Sequence, residues 1–578
     1  MKRTFTDIVC RALLHAACLA ILVVALGTSA SAGEPRITAV EGKNGMVVSV
    51  SPHATRVGLK ILKQGGSAVD AAIGVEFALA VTWPVAGNIG GGGFMMVHPG
   101  DGRPTVCIDY RETAPGAATK EMFTREDGKH THKMVGVPGT VHGMSVAHQR
   151  YGRLSWRELV EPAAKLAAEG FVMDRHLCES INPVLSYDSV KKGLHHKELI
   201  RVYSRPGGGE WKVGDRIVQK DLAATLRTIA RKGARAFYEG PIAEALVAEM
   251  KRGNGLISLE DLANYRARTR EPVHGTFRGY DVYGAPPPSS GGVCIVQMLN
   301  VFEHLDLPSH GRYSAPTLHL MAETMKRAFR DRATYLGDQD FINIPPRLTS
   351  KPYAKRLAGE ISPDRATPSA ELAGEIQLAP ESPETTHFSV IDSRGMAVAN
   401  TTTLENSWGA RIVVKGAGFL LNNEMGDFNW FPGYTDRKGK IGTKPNQIAP
   451  GKRMLSSQSP TILTKDGKAV LVTGSPGGRT IINTTLQIVL NILEFDMNVA
   501  DAVASERIHH QWFPDRIQFE NFDGRISAKT VAELKKLGHK VEERSTPQGD
   551  AHTIWVDRKS GVYQGAADWR RGGSAMGY

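Results

Sequence analysis

The chain has 578 residues, 41% hydrophobic and 22% charged, with a formal net charge of +12. That balance excludes a disordered or fibrous protein and supplies ample apolar surface for a large core, at a length that on its own allows about three to four domains. The lysines and arginines are scattered, with no basic stripe interleaved with aromatics, so the charge reads as solubility and attraction for small anions, and no nucleic-acid partner is expected.

The first element in chain order is a leader. Lys2, Arg3 and Arg11 form a basic region, Ala16 to Leu26 is an uncharged apolar run, and Ala30-Ser31-Ala32 is a small-x-small cleavage signal. The run is about half the roughly 20 residues that a membrane span needs. Residues 1–32 therefore read as a signal peptide removed before Gly33, with export to a periplasm or to the medium and no stable membrane span afterwards. Cys107, Cys178 and Cys294 remain after that cut. They are too few for a disulfide scaffold, and each reads as a small buried hydrophobe.

"GMVVSV" (45–50) is a strand, and Ser51-Pro52 offers a helix cap and first position. The helix "HATRVGLKILKQGG" stops at Gly65-Gly66. The next, "AVDAAIGVEFALAVTWP", is apolar nearly all round and should be buried. Residues 150–270 are richer in helix signals, and "AETMKRAFRDRATYLGD" is a helix ending at Gly337. After about residue 370 the pattern changes to three hairpins, in "THFSVIDSRGMAVANTTTL", "PTILTKDGKAVLVTGSPGG" and "HTIWVDRKSGVYQGAAD". "RTIINTTLQIVLNILEF" is a strong apolar helix, and "SAKTVAELKKLGHKVEE" is a capped helix followed by a strand. Stretches 359–384 and 428–453 are rich in Pro and Gly and read as exposed loops. Hairpins flanked by helices predict an α+β protein, antiparallel sheets covered by helices.

Several motifs tempt and fail. "GNIGGGGFM" (87–95) lacks the third glycine of a dinucleotide loop, and "GYTDRKGKIGTK" (433–444) is one residue too long for a phosphate loop and has no Ser or Thr directly after its lysine. The pairs His130/His132, His195/His196 and His509/His510 lack acidic or Cys partners at ligand spacing, so neither metal nor cofactor is expected. "GSPGG" (474–478) lies between a strand and a helix, where unsatisfied backbone N–H groups gather and glycines allow close approach. It is either an oxyanion site or a plain turn.

Four stretches, "TTHFSVID", "LLNNEMGDF", "KRMLSSQSPTI" and "TGSPGG", together resemble the γ-glutamyltranspeptidases. Upstream, "DAAIGVEFALAVTWPVAGNIGGGGFM", "DYRETAPGAA", "VPGTVHGM", "PPPSSGGVCIVQMLN" and "GDQDF" match in the same order, so the likeness runs from about residue 40 to Tyr578. The resemblance implies a four-layer αββα sandwich of the N-terminal-nucleophile hydrolase type. It also implies a precursor that cuts itself between Glu384 and Thr385, giving a large subunit, 33–384, and a small one, 385–578, that remain together as a heterodimer. Thr385 would be the nucleophile and Thr386 structural. This is chemically sensible. A threonine hydroxyl has no base of its own, but cleavage frees an α-amino group beside it with a pKa of about 7.7–8.0.

By the same resemblance, Thr403 hydrogen-bonds the nucleophile and Gly477 and Gly478 form the oxyanion hole. Arg111, with Ser456 and Ser457, binds the α-carboxylate of a γ-glutamyl group, and Glu405, Glu424 and Asp427 accept its ammonium. The substrates implied are glutathione and related γ-glutamyl amides, with water, an amino acid or a peptide as acceptor. Two positions depart from the common pattern: Glu405 stands where many members have Asn, and "MGDF" with Gly426 replaces "MDDF". Residues 428–455, with Trp430 and Tyr434, match the lid loop of many relatives. Two other readings compete. One is an acylase removing a glutaryl group from a β-lactam side chain, which has no ammonium for three acids to hold. The other is a degenerate, non-enzymatic binding protein, which would not need the full set of chemical groups.

Overall fold

A computed structural model describes residues 37–373, 385–433, 435–438 and 442–578. The expected signal peptide, Glu384 and Tyr434 lie outside the described residues. Two seven-stranded antiparallel sheets carry the chain. Across the first, the strands are Val40–Gly42, Tyr563–Ala567, His552–Val556, Lys468–Thr473, Thr461–Lys465, Tyr280–Gly284 and Val273–Phe277. Across the second they are Ser574–Gly577, Gly45–Ser49, Thr386–Asp392, Ala397–Thr403, Gly92–His98, Val106–Asp109 and Arg268–Arg270.

The period-two alternation of strand side chains separates the cores. In Thr386–Asp392, Phe388 and Val390 join one core while Ile391 joins another. In Gly45–Ser49, Met46 and Val48 face opposite to Val47. The core between the sheets holds Met46, Val48, Phe94, Met96, Ala399, Ile462 and Ile554. Outside the second sheet lie the helices Pro52–Lys63 and Ala68–Thr82, the latter buried along its whole length. Outside the first lie Gly291–Phe302 and Thr480–Leu493. The order is αββα, as the resemblance implied.

The three hairpins form where the pattern places them. In the second, Asp466 and Gly467 both have positive φ (51° and 72°), the mirror-image turn that matches strand twist. Other expectations shift. Ser51 stands at the helix start but makes no capping bond; its hydroxyl donates to Thr82 Oγ1 at 2.9 Å instead. The helix expected to reach Gly337 ends at Tyr335. A small sheet of Ile508–His509, Ile517–Phe519 and Val541–Glu543 contains a parallel pair, because the helix Ala528–Lys536 supplies the crossover that parallel strands need. Separate domains do not appear: Ile37–Tyr578 is one compact unit, since both sheets draw strands from both halves of the chain. Cys107, Cys178 and Cys294 are buried and unbridged. No described helix is long and apolar enough to cross a membrane.

Candidate active site

Thr385 immediately precedes the Thr386–Asp392 strand in the middle of the second sheet and is 4% exposed. That strand is held by Gly45–Ser49 on one side and Ala397–Thr403 on the other, in register Thr386 to Thr402. The register carries Thr403 next to Thr385, whose Oγ1 donates to Thr403 Oγ1 at 3.5 Å. Thr403 Oγ1 also accepts the Glu405 N–H at 2.7 Å. Asn88, from the 87–95 glycine stretch, fixes the backbone behind it. Its Nδ2 donates to Thr403 O at 2.8 Å and Thr402 Oγ1 at 3.1 Å, while its Oδ1 accepts from Gly91 N and Thr140 Oγ1. The 87–95 glycines thus serve close backbone packing beside the site: a side chain on Gly91 would lie 2.1 Å from Thr403 O.

The "GSPGG" loop meets Thr385 from the other sheet. Gly477 and Gly478 have φ of 130° and 57°, and a side chain at Gly477 would lie 2.5 Å from Thr480 Oγ1. Only glycine suits this turn. The helix Thr480–Leu493 starts here, with its first N–H groups lacking intrahelical acceptors and its positive dipole end presented. Gly474 abuts the His387 ring, which ties the loop to the Thr385 strand.

These elements line a cleft that is partly open to solvent. Of the expected residues, Thr385, Thr403, Gly478, Arg111, Asp427, Glu405, Ser456 and Ser457 line it. Gly477 and Glu424 stand behind that lining. Arg332, Gln458, Arg479 and Ile481 also line it and were not anticipated. Arg332 lies in the helix Ala315–Tyr335. It is 3% exposed, and its guanidinium donates to Ser457 Oγ at 3.0 Å and Ser290 Oγ at 2.9 Å. Ser456 is anchored through its backbone to Pro288 O and Ser290 N, both at 2.8 Å.

Arg111 follows the strand Val106–Asp109 and is 1% exposed. Its Nη1 pairs with Glu424 Oε2 at 2.6 Å, its Nη2 pairs with Asp427, and Glu112 Oε2 lies 3.7 Å away. Burial raises Glu424 well above the usual carboxylate range, although Arg111 pulls the other way. Glu112 is pushed up to about 8, again by burial against the pull of Arg111. One guanidinium thus holds a nest of acids, two of which, Glu424 and Glu112, burial pushes toward the neutral form. Glu405 accepts a hydrogen bond from the Asn406 side chain and has φ 76°, the left-handed region. Asn is enriched in that region, which gives a physical reason for the Asn that many members of the resembled family carry here.

The segment expected as a lid packs beside this nest. Asn446 donates to Asp427 O and accepts from Leu455 N, and Trp430 stacks on Phe123 with ring centroids 4.6 Å apart. Among the described residues, His319, Glu323 and His539 place ligand atoms within 4.8 Å of one another. Glu323 there already pairs with Lys326 at 2.8 Å and Arg327 at 2.6 Å, so its charge is spent on two cations and the trio suits an ion poorly.

A cleft that joins a strand-end threonine, a glycine turn at a helix start and an Arg–acid nest can be compared with known proteins. The gamma-glutamyltranspeptidase family model matches residues 54–578. The chain belongs to the gamma-glutamyltranspeptidase family. A glutathione hydrolase proenzyme of Escherichia coli (strain K12) is 45% identical to it, covering 92% of this chain and 91% of the relative. An acylase ACY 1 proenzyme of Pseudomonas sp. (strain SE83) is 36% identical, covering 93% and 94%. The crystal structure of a cephalosporin acylase from Bacillus halodurans superposes with a TM-score of 0.83 at 26% identity, covering 94% of this chain and 97% of that one. The proteins it resembles are thus named both as glutathione hydrolases and as acylases.

Proposed function

We propose that the enzyme is a γ-glutamyltransferase and glutathione hydrolase that works through a γ-glutamyl ester on Thr385. The observation that carries this over the acylase reading is the Arg111–Glu424–Asp427 nest, with Glu405 beside it. A γ-glutamyl α-carbon bears a carboxylate and an ammonium. The nest is the complement of that pair: the carboxylate takes the guanidinium fork and the ammonium takes the acids, so the entering zwitterion exchanges with an ion pair of like composition. A glutaryl group brings no ammonium and leaves the acids facing nothing.

In the mechanism, the freed Thr385 amine accepts the Thr385 hydroxyl proton as Oγ1 attacks the γ-carbonyl. The Gly477–Gly478 turn receives the developing oxyanion, and the protonated amine returns the proton to the leaving amine. Water or an amino acid or peptide amine then takes the acyl group. Thr403 orients the hydroxyl. Cleavage between Glu384 and Thr385 would yield subunits 33–384 and 385–578. These would stay joined as a heterodimer, because Thr386–Asp392 pairs with Gly45–Ser49 and Ala397–Thr403 with Gly92–His98. The charged n-region, apolar run and small-x-small site of residues 1–32 support export to the periplasm or medium after removal of that leader.

Rates on γ-glutamyl and glutaryl anilides test the substrate class. The γ-glutamyl anilide is expected to be the faster by about a hundredfold or more, since losing a buried charged hydrogen bond costs about 1.5–3 kcal/mol and more than one acid is left unpaired. Faster glutaryl release would overturn the reading. Arg332 supports the carboxylate side through Ser457. Arg332→Met is expected to raise KM for the γ-glutamyl anilide about tenfold with a smaller effect on kcat, the loss of one charged hydrogen bond.

A further inference from the structure

The helix Ala68–Thr82 contains two acids: Asp70 closes the capping box at its start, and Glu76 has no part in the chemistry above. Glu76 is at its centre, 0% exposed, among Val75, Phe77 and the apolar core behind the second sheet. Its Oε2 accepts Asn400 Nδ2 at 3.0 Å, and its Oε1 lies 3.0 Å from Thr402 Oγ1. Both partners are uncharged and both lie on Ala397–Thr403, the strand that ends at Thr403.

We propose that Glu76 is a neutral carboxylic acid that acts as a positioning residue, donating its O–H to Thr402 and so holding both arms of the active site in register. The proposal rests on the reading of Thr385, Thr403 and Arg111 given above. Donor counting supports the neutral form. Around Thr402 Oγ1 lie Asn88 Nδ2 at 3.1 Å, Glu76 Oε1 at 3.0 Å and Gly92 O at 3.3 Å, with the Tyr110 hydroxyl also in reach. Asn88 can only donate and Gly92 O can only accept. If Glu76 is ionised, the single Thr402 hydrogen is claimed by two acceptors. If Glu76 is protonated, it donates to Thr402, and the Thr402 hydrogen is free for Gly92 O.

Charge points the same way. An ionised carboxylate with no cation beside it in an apolar core is costly and takes up a proton instead. Burial pushes Glu76 up to about 8, with Thr402 and Asn400 opposing, and no charged side chain contributes. The titratable group facing it is Tyr110, whose hydroxyl donates to Asn400 Oδ1 at 2.8 Å and which burial raises well above its usual range. Glu112 acts on Tyr110 from beyond.

The two routes out of Glu76 reach the two halves of the site. Through Thr402 it meets Asn88, which also holds Thr403 O beside the candidate nucleophile. Through Asn400 it meets Tyr110, whose chain neighbour is Arg111. Ionisation above about pH 8 removes the donor to Thr402 and loosens the first route most. The result is an alkaline fall in kcat with a smaller change in KM.

The test compares native enzyme with Glu76→Gln, whose amide keeps one acceptor and one donor but does not titrate. The alkaline limb of kcat is expected to move up by at least one pH unit in the variant. The native-minus-Glu76→Gln infrared difference spectrum at pH 6 should show the carbonyl stretch of one protonated carboxylic acid, the bands of Glu112 and Glu424 cancelling because both proteins carry them. The folded pKa is raised above its unfolded value, so Glu76 stabilises fully only at acid pH, and that contribution fades as pH rises toward the folded pKa. The melting temperature of Glu76→Gln relative to native should therefore climb between about pH 5 and pH 8. Superimposable pH–kcat profiles, or a spectrum without the Glu76-dependent band, overturn the proposal. The band and the melting difference need no substrate, so they stand or fall separately from the γ-glutamyl reading, which the anilide rates decide.

Discussion

Thr385→Ala is expected to give one uncut polypeptide whose γ-glutamyl transfer is lower than that of the native enzyme by a factor on the order of 10⁴–10⁶, the scale seen when a catalytic nucleophile is removed. On a denaturing gel the native protein should show two chains, the smaller beginning Thr-Thr-His-Phe by N-terminal sequencing. Both losses follow from one atom. In the proposed mechanism the Thr385 hydroxyl attacks the Glu384 carbonyl to cut the chain, moving the acyl group from nitrogen to oxygen before water releases it. Afterwards the same hydroxyl, with the new amine as its base, attacks the substrate. The surroundings of Thr385 are already built: 4% exposure, a fixed strand behind it and Thr403 Oγ1 at 3.5 Å. Removing the hydroxyl should therefore leave the fold intact while abolishing both reactions. Thr385→Ser, which keeps the hydroxyl, should still be cut. If Thr385→Ala is cut at the same bond, some other group supplies the nucleophile and the mechanism fails.

The parts of this site that were legible in the sequence are those where local pattern and chemistry coincide. The hairpin "THFSVIDSRGMAVANTTTL" announces itself by alternation about a Ser-Arg-Gly turn. Its register then determines that Thr403 comes beside Thr385. "GSPGG" announces a turn before a helix, and its positive φ values explain why glycine stands there. What stayed hidden depends on partners far apart in the chain. Arg332 looks like one more charge on a polar helix, and only its bond to Ser457, 125 residues away, makes it part of the cleft. Glu76 looks like an isolated charge in the middle of an apolar helix. Its meaning comes from Asn400 and Thr402, more than 300 residues later. Ser51 shows the reverse case. The local cap signal is correct in position, but Thr82 competes for the hydroxyl and wins.

The second large effect concerns the ion nest. Arg111→Met is expected to destabilise the folded protein by about 3–5 kcal/mol, because it leaves buried carboxylates without their counter-charge, and to raise KM for γ-glutamyl substrates about a hundredfold or more, the loss of a bidentate charged contact. The expectation rests on burial: Arg111 is 1% exposed and Glu424 is 0% exposed, so water cannot take over the screening. The pH dependence of the loss has a definite sign. Without the guanidinium, Glu424 and Glu112 rise further above their unfolded values, since Arg111 is the force that lowers them. A carboxyl raised in the folded state favours folding at low pH and loses that contribution as pH climbs. The gap between variant and native should thus stay level below about pH 8, where Glu112 holds its proton in both, and widen as pH rises above it, measured as the difference in urea midpoints. Glu424→Gln in the same chain should recover part of the stability at alkaline pH, where Glu424 would otherwise ionise without its partner, but none of the KM. A double-mutant cycle in which the two changes simply add would show that Arg111 and Glu424 do not share the ion pair on which the substrate exchange depends.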